Sequence, residues 1–303
     1  MKIISMINYR QFRLTVTSLM LVIIATFTAS IPLTIFQTDK MPEVKAAFTT
    51  LPLMPVSHLY PPPVTTAKSV FIVDVNTGIV LYAKNPTEKL QPASLTKIMT
   101  AIVAMDYYNE DSVLNVTNGA QAEGSTADLR ANDQLLANDM LYALLIPSGN
   151  DAAVALAENY PGGYYAFVAK MNQKARQLGL LNTHFTNVSG VEGPNHYTSA
   201  YDITEIALNA LQRNIFKNIV ATKKITLKSL KGHVYPLEST NILLGQPGIL
   251  GVKTGWTPLA GECLVTYADK YDHPIISSVL GSDDRFGETE KLLDWVYTNY
   301  SWL

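Results

Sequence analysis

The sequence is poor in cysteine, in clustered histidine and in net charge, and each shortage excludes a class of protein. Cys263 is the only cysteine among 303 residues, so no disulfide can form within the chain. It lies in an apolar, strand-like run and is expected to be a small buried hydrophobe rather than a reactive thiol. No cysteine or histidine cluster has metal-ligand spacing, so we expect neither a metal nor a cofactor. The formal net charge is −2 without a basic patch, which argues against nucleic acid as a partner.

Charge is also missing from residues 14–36, a span long enough to cross a bilayer. Three basic residues and no acidic one precede it, so residues 1–13 are expected to stay cytoplasmic and the rest to be exported. The length favours an uncleaved membrane anchor. Small residues at 28–30 leave a cleaved signal peptide as the alternative. Either interpretation predicts an exported protein, anchored by this span or secreted.

The remainder divides by composition into a linker and a single catalytic domain. Residues 37–66 are rich in proline and threonine, which is typical of an extended linker. Residues 67–303 have enough apolar content for a full core, and we assign them to one domain.

The order of predicted elements in residues 67–303 indicates an α+β fold. Strand patterns at 69–74 and 79–84 flank Asn-Thr-Gly and predict a hairpin. Helical patterns follow at 95–105, 134–146, 151–159, 164–180 and 200–214. Strand patterns then occupy 225–230, 248–253, 262–268 and 274–280, and an amphipathic helix closes the chain at 288–300. We therefore expect an antiparallel sheet built from both ends of the domain, flanked by helices, with a mainly helical lobe inserted.

Ser94 and Lys97 stand at the start of the first helical pattern, after Pro92. Residues three apart share one face of a helix, so the two side chains can meet. A serine hydroxyl becomes a nucleophile when a base takes its proton, and a lysine with a lowered pKa can be that base. The alternative is an N-cap serine followed by a solvated lysine.

Two further short motifs can complete a site in a cleft between the lobes. Ser148 and Asn150 flank Gly149 in a turn between two predicted helices, although a helix stop followed by an N-cap explains the same residues. Lys253, Thr254 and Gly255 end a strand whose expected antiparallel neighbour is 264–267. Lys253 would bring a cation that helps to keep Lys97 neutral, Thr254 could hold a substrate carboxylate, and Gly255 lets a substrate backbone approach. The alternative is a solvated edge lysine.

The three motifs occur in the order Ser-x-x-Lys, Ser-x-Asn, Lys-Thr-Gly, the trio of class A β-lactamases and penicillin-binding proteins. With them, five segments resemble the serine-type D-alanyl-D-alanine carboxypeptidases, the low-molecular-weight penicillin-binding proteins. These segments are LQPASLTKIMT (90–100), LYALLIPSGNDAA (141–153), PNHYTSAYD (194–202), GVKTGWTPLAGECLV (251–265) and KLLDW (291–295).

The resemblance implies acyl transfer on peptidoglycan stem peptides that end in D-Ala-D-Ala, with β-lactams as covalent inhibitors. Ser94 would be the nucleophile, Lys97 the base, and Ser148 a proton relay to the leaving D-Ala. The backbone N–H groups of Ser94 and Trp256 would bind the oxyanion. The implied substrate-binding residues are Asn150, Lys253, Thr254, Gly255, Trp256 and, with a surface salt bridge as its alternative, Arg285.

Some features depart from the family pattern or leave its activity open. Residues 188–193 and Asn132 differ from the usual residues, and we expect them to affect substrate preference rather than catalysis. His196 is expected to be a structural hydrogen-bonding group. A β-lactamase, which needs a glutamate-positioned water for fast deacylation, is the weaker alternative, although Glu-x-x-Leu-Asn does occur at 205–209. A DD-endopeptidase that cleaves cross-links and a non-catalytic wall-binding protein remain the alternatives.

Overall fold

The structure is a computed structural model that describes residues 52–117 and 124–303. In this part of the chain, a 3₁₀ turn at Ala93–Leu95 leads into the first of seven α-helices. The helices are α1 (Thr96–Tyr107), α2 (Ala137–Leu145), α3 (Asn150–Glu158), α4 (Gly163–Gln177), α5 (Ala200–Leu211), α6 (Asn214–Val220) and α7 (Arg285–Asn299). None of these helices is long and apolar enough to span a bilayer. The predicted anchor, residues 14–36, lies outside the described residues.

Within residues 52–117 and 124–303, a five-stranded antiparallel sheet forms the centre of the fold, with three short two-stranded sheets besides it. The strands are β1 (Pro55–Ser57), β2 (Ser69–Asp74), β3 (Val80–Lys84), β4 (Val113–Asn115), β5 (Gln134–Leu136), β6 (Lys224–Lys228), β7 (Val234–Glu238), β8 (Ile249–Thr257), β9 (Gly261–Lys270), β10 (His273–Ser282) and β11 (Tyr300–Trp302). The central order is β3-β2-β10-β9-β8. The first hairpin therefore joins the last three long strands, which confirms the sheet predicted from both ends of the domain.

The sheet is buried on both faces. Each strand directs alternate side chains to opposite faces, and a hydrophobic core covers each face. In β2, Phe71 and Val73 join the core under the helical lobe, while Val70 and Ile72 join the core under α7. Every residue of β2 is buried. This two-sided burial explains why residues 70–73 are apolar without interruption rather than alternating with polar residues.

Most predicted elements are present, and the differences occur where short elements adjoin. The pattern at 134–146 is not one helix. Its residues 134–136 form β5, which pairs with β4, and α2 begins only at Ala137. The pattern at 200–214 ends at Leu211, and a separate helix, α6, follows. The sequence predicted no strand at β4 or β7. Both pair locally with a neighbour, a contact that periodicity over three to five residues does not reveal.

The start of the folded body differs from the predicted boundary at residue 67. Strand β1 pairs with β11, and the backbone N–H of His58 donates to the carbonyl of Asn299 at 2.6 Å. Glu288, near the start of α7, accepts hydrogen bonds from Thr65 Oγ1 at 2.6 Å and from the Ala67 N–H at 3.2 Å. Residues 55–66 thus pack on the body, and only residues 37–54 of the predicted linker precede this contact.

Replacing Glu288 with glutamine should destabilise the fold by about 2 kcal/mol. The Glu288 carboxylate accepts hydrogen bonds on both oxygens, whereas the NH₂ of a glutamine amide would face one of those donors without being able to accept from it. Burial raises the pKa of this carboxyl, but hydrogen bonds from Ser282, Thr65 and Thr66 outweigh burial and lower it to about 2. The wild-type contribution is therefore complete above the unfolded pKa, about 4.3, and lost as pH falls towards 2. Thermal unfolding from pH 7 to 3 tests this. Parallel melting-temperature curves for wild type and variant would contradict it.

Candidate active site

Ser94 and Lys97 meet at the start of α1, on the central helix of the molecule. Nζ of Lys97 lies 3.0 Å from Oγ of Ser94. Every residue of α1 from Thr96 to Ala104 is buried, so the helix has no solvent-facing side over this stretch. Lys97 is 0 % exposed. The interpretation of Lys97 as a solvated surface lysine is therefore excluded.

The surroundings of Lys97 favour an uncharged amine. Burial lowers its pKa well below the ordinary lysine value, and the charge of Lys253 lowers it further. Asp151 acts in the opposite direction, but its carboxylate accepts backbone N–H groups of Ala127, Leu129 and Ala152. The order of causes refines the sequence expectation: desolvation is the main cause, and Lys253 is the second.

The hydrogen bonds of Lys97 indicate where the lone pair of a neutral amine would point. Nζ lies 2.6 Å from Oδ1 of Asn150 and 2.7 Å from the carbonyl oxygen of Ser189, and both atoms only accept. A neutral primary amine has two N–H groups and one lone pair. In a neutral amine that gives both N–H groups to these acceptors, the lone pair would be left for the hydroxyl of Ser94. In this arrangement Lys97 can act as a general base towards the hydroxyl of Ser94.

The Ser148–Asn150 turn connects α2 to α3, as the sequence predicted. Gly149 is required sterically, since a Cβ there would lie 2.5 Å from the carbonyl oxygen of Ala143. Ser148 has a left-handed φ of 65°, a conformation that costs a non-glycine residue about 1 kcal/mol or more. Its Oγ is buried without a hydrogen-bond partner among the described residues. The turn therefore brings Asn150 into contact with Lys97 and holds Ser148 as an unsatisfied hydroxyl.

Lys253 and Thr254 lie on β8, and both are buried rather than solvated. The register pairs Lys253 with Val265 and Thr254 with Leu264, the neighbour expected from the sequence. Lys253 is 1 % exposed, and its Nζ donates to the carbonyl of Thr254 at 2.9 Å. Burial and the charge of Arg285 lower its pKa to about 7. The alternative of a solvated edge lysine is excluded.

We expect Lys253→Met to change the pH profile of Ser94 acylation by a β-lactam. In the wild type the rate should rise as Lys97 loses its proton and fall near pH 7 as Lys253 loses the charge that binds a carboxylate. The variant should lose this descending limb. Its ascending limb should move to higher pH, because a nearby positive charge no longer lowers the pKa of Lys97. Stopped-flow acylation rates between pH 4 and 10 measure both limbs, and an unshifted profile would refute the coupling.

Gly255 and Arg285 connect β8 to the nucleophile and to α7. A Cβ at Gly255 would lie 3.1 Å from the backbone nitrogen of Ser94, so the strand runs directly beside the start of α1. Nη1 of Arg285 donates to the carbonyl of Gly255 at 3.0 Å. Among the described residues Arg285 forms no salt bridge, which disfavours the alternative stated for it. The guanidinium lies beside Lys253 and Gly255 rather than in a surface ion pair.

Ser94 and Asn150 border a cleft of about 560 Å³, which Lys97, Ser148, Lys253, Thr254, Gly255 and Arg285 do not line. Its lining comprises Ser94, Gly124, Ser125, Asn150, Ser189, Gly190, Val191, Glu192, Trp256, Thr257 and Pro258. Trp256 is 58 % exposed, so its indole stands at the rim of the cleft.

The loop of residues 188–193, which the sequence linked to substrate preference, contacts Lys97 and the turn that carries Ser94. The Ser189 carbonyl accepts from Lys97, and a Cβ at Gly190 would lie 1.8 Å from the carbonyl oxygen of Ala93. Gly190 also has a left-handed φ of 89°. The loop thus fixes both the base and the turn that carries the nucleophile. The sequence did not predict these contacts, because Ser189 and Gly190 are more than 90 positions away from Lys97 and Ala93.

His196 and Cys263 have the structural roles that were expected. His196 is buried, accepts the Thr186 N–H at Nδ1 and lies 2.9 Å from Thr96 Oγ1 through Nε2. Burial and nearby His184 lower its pKa to about 4, so the ring is neutral at physiological pH. Burial raises the pKa of Cys263 to about 11, which leaves an unreactive thiol.

Comparison with known proteins gives consistent matches over the described domain. The family model described as D-alanyl-D-alanine carboxypeptidase matches residues 57–284. A carboxypeptidase of that name from Bacillus subtilis is 37% identical over 77% of this chain, and the aligned part spans 63% of that protein's length. The D-alanyl-D-alanine carboxypeptidase of Streptomyces sp. strain K15 is 33% identical over 77% of this chain and 88% of its own.

Two further similarities concern a solved structure and a different activity. The crystal structure of the Streptomyces K15 DD-transpeptidase has a TM-score of 0.75 at 32% identity, covering 79% of this chain and 100% of that one. The D-alanyl-D-alanine endopeptidase of Escherichia coli is 31% identical over 78% of this chain and 79% of its own.

Proposed function

The chain belongs to the D-alanyl-D-alanine carboxypeptidase family of serine peptidases, and from this we propose that it removes the terminal D-Ala from peptidoglycan stem pentapeptides through an acyl-enzyme on Ser94. The observation that carries the proposal is the Lys97 amine, fully buried and 3.0 Å from Oγ of Ser94. A base of this kind is needed to activate a serine hydroxyl, and the two acceptors on Lys97 would leave the lone pair of a neutral amine for that hydroxyl.

In the acylation step, Oγ of Ser94 attacks the carbonyl carbon of the penultimate D-Ala while its proton passes to Lys97. The carbonyl oxygen becomes an oxyanion, to be stabilised by the backbone N–H groups of Ser94 and Trp256. The close approach of Gly255 to the Ser94 nitrogen supports this pairing. The intermediate collapses by breaking the C–N bond to the terminal D-Ala, whose amine takes a proton through Ser148. The unsatisfied Ser148 hydroxyl is suited to that transfer.

Substrate orientation would follow from the charged residues of β8 and α7. Lys253, Thr254 and Arg285 lie along β8 and at the start of α7, where they would bind the terminal carboxylate. Asn150 would hold the peptide backbone on the opposite wall. Water then cleaves the Ser94 ester and regenerates the hydroxyl. A β-lactam would acylate Ser94 by the same attack, with its ring amide bond broken instead.

Mass spectrometry of the products of a defined pentapeptide tests the proposal. We expect release of one D-Ala from the D-Ala-D-Ala terminus and no release from a control peptide ending in D-Ala-L-Ala. A labelled penicillin should modify a peptide containing Ser94. If neither product nor label forms, the alternative of a non-catalytic wall-binding protein on this fold would stand instead.

Cleavage of cross-links is the second candidate, and a specific observation favours it. Relatives from Escherichia coli and Pseudomonas aeruginosa, 31% and 33% identical, are named D-alanyl-D-alanine endopeptidases. Both reactions would use the same acyl-enzyme and differ only in the leaving amine. Digestion of purified cross-linked muropeptide dimers separates them: monomer formation at rates comparable to D-Ala release indicates an endopeptidase.

We propose in addition that the enzyme acts outside the cytoplasmic membrane. Its substrate class lies there, and the charge-free residues 14–36 with preceding basic residues support export. Amino-terminal sequencing of the protein from membrane and secreted fractions distinguishes an anchor from a cleaved signal. Residues before position 37 retained in the membrane fraction would indicate an anchor.

A further inference from the structure

Asp151 places a buried carboxylate in the first turn of α3. It is 2 % exposed, and its oxygens accept the backbone N–H groups of Ala127 at 3.0 Å, Leu129 at 3.0 Å and Ala152 at 2.9 Å. Within the part of the chain that the structure describes, no basic side chain forms a salt bridge with it. A buried charge is costly unless hydrogen bonds satisfy it. The carboxylate is therefore held by backbone donors, two of which belong to an earlier segment, residues 124–129.

Residues 124–129, here called the wall segment, form part of the side of the catalytic cleft. Gly124 and Ser125 line the same cavity as Asn150. The carbonyl of Ser125 accepts the Asn150 N–H at 2.8 Å, and a Cβ at Gly124 would lie 3.1 Å from Nδ2 of Asn150. The wall segment thus contacts Asn150 at its start and is held by Asp151 towards its end.

The contact with Asn150 connects the wall segment to the buried amine of Lys97. Oδ1 of Asn150 lies 2.6 Å from Nζ of Lys97. Asp151 also acts on this amine through its charge. The charged groups with the largest effects on Lys97 are Lys253 from β8 and Asp151 from α3. Burial and the positive charge of Lys253 lower the pKa of Lys97, whereas the negative charge of Asp151 raises it. One carboxylate thus bears on both the support of the residue beside Lys97 and the proton affinity of the amine.

We propose that Asp151 is a positioning residue for acylation: its carboxylate fixes the wall segment against Asn150, which in turn holds the amine of Lys97. Asp151 does not line the cleft, so it acts through these neighbours rather than on the substrate. Its negative charge acts on Lys97 as well, against the effect of burial. The inference rests on the proposed function, because it assumes that the serine beside Lys97 is acylated with this amine as the base.

Asp151→Asn tests the inference, with the rate of Ser94 acylation by a labelled penicillin as the measurement. The amide oxygen can still accept a hydrogen bond, but the NH₂ group would face a backbone N–H and release the wall segment. We expect the rate at the pH optimum to fall by about 10- to 100-fold, because misplacing a group by about 1 Å can cost about 100-fold. The ascending limb of the pH profile should move to lower pH, since loss of the negative charge lowers the pKa of Lys97 further. A loss of stability alone would leave this limb in place.

Asp133→Asn is the matched control. Asp133 is 1 % exposed and also accepts a backbone N–H, that of Gln134 at 2.8 Å, but it does not line the cleft or contact the wall segment's donors to Asp151. Its acylation rate per folded molecule and its pH profile should equal those of the wild type. An unshifted ascending limb in folded Asp151→Asn, or the same shift in Asp133→Asn, would overturn the inference.

Gly124→Ala keeps the inference testable if Asp151→Asn does not fold. Gly124 is exposed, so alanine should be tolerated by the fold, but its Cβ would meet Nδ2 of Asn150 and displace the wall segment while the carboxylate stays. We expect slower acylation with an unshifted ascending limb, and a wild-type rate would overturn the role of the wall segment. Penicillin labelling of the wild type separates the two levels. Absence of both label and D-Ala release refutes the proposed function, whereas label with wild-type behaviour of the variants refutes only the role of Asp151.

Discussion

Ser94→Ala should abolish D-Ala release and penicillin labelling, with kcat falling by about 10⁴-fold or more. No other hydroxyl occupies its position: Ser148 is not hydrogen-bonded to Lys97 in the described part of the chain, whereas Ser94 lies 3.0 Å from it. Alanine removes only the hydroxyl from a turn that Gly190 and Gly255 hold in place, so the fold should be retained.

The measurement combines intact-protein mass spectrometry after incubation with a penicillin and quantification of free D-Ala. Circular dichroism establishes that the variant is folded. A covalent adduct on folded Ser94→Ala would show that a different residue is the nucleophile, and the site assignment would then be wrong.

Lys97→Met should reduce the acylation rate by about 10³-fold, the typical contribution of a general base. Methionine fills a similar volume at a fully buried position but cannot accept the Ser94 proton. It also leaves Oδ1 of Asn150 and the carbonyl of Ser189 without the amine donor that now bonds them. The loss should appear in acylation, and the residual rate should no longer rise with pH through the pKa of Lys97.

Two further substitutions test whether the slow acylation of Lys97→Met comes from the loss of a proton acceptor. Lys97→Arg keeps a cation that stays protonated and should be as inactive as the methionine variant. Lys174→Met, which removes a lysine paired with Asp106, should retain the wild-type rate. An active Lys97→Arg variant would show that the charge of the lysine, rather than its lone pair, supports acylation.

The catalytic trio was predictable because each motif occupies a local position that short-range rules describe. Ser94 and Lys97 are three residues apart at a helix start, and Gly149 permits the turn before α3. Lys253 lies on a strand as predicted, although β8 continues to Thr257 rather than ending at residue 253. The order of these motifs then indicated the family and the two-lobed fold. Periodicity was less informative at residues 134–136, where pairing of β5 with β4 overrides a helical pattern.

The contacts that determine the charge of Lys97 were not predictable in the same way. The Ser189 carbonyl lies 92 positions from Lys97 in sequence, and its role depends on the backbone path of a loop rather than on residue types. The same applies to Glu192, whose side chain reaches a turn 67 positions later. Packing of residues 55–66 against α7 likewise depends on Glu288, more than 220 positions away from the threonines it binds.

The sequence alone determined which chemical groups this protein has and where most of its helices and long strands lie, because side-chain type and periodicity are properties of neighbouring residues. It thereby identified Ser94, Lys97, Ser148, Asn150 and Lys253 as one set. Only the tertiary structure decided that Lys97 and Lys253 are buried and that the Lys97 amine lies against Ser94, Asn150 and Ser189. Those properties come from desolvation and from acceptors supplied by distant loops, and both exist only after the chain has packed.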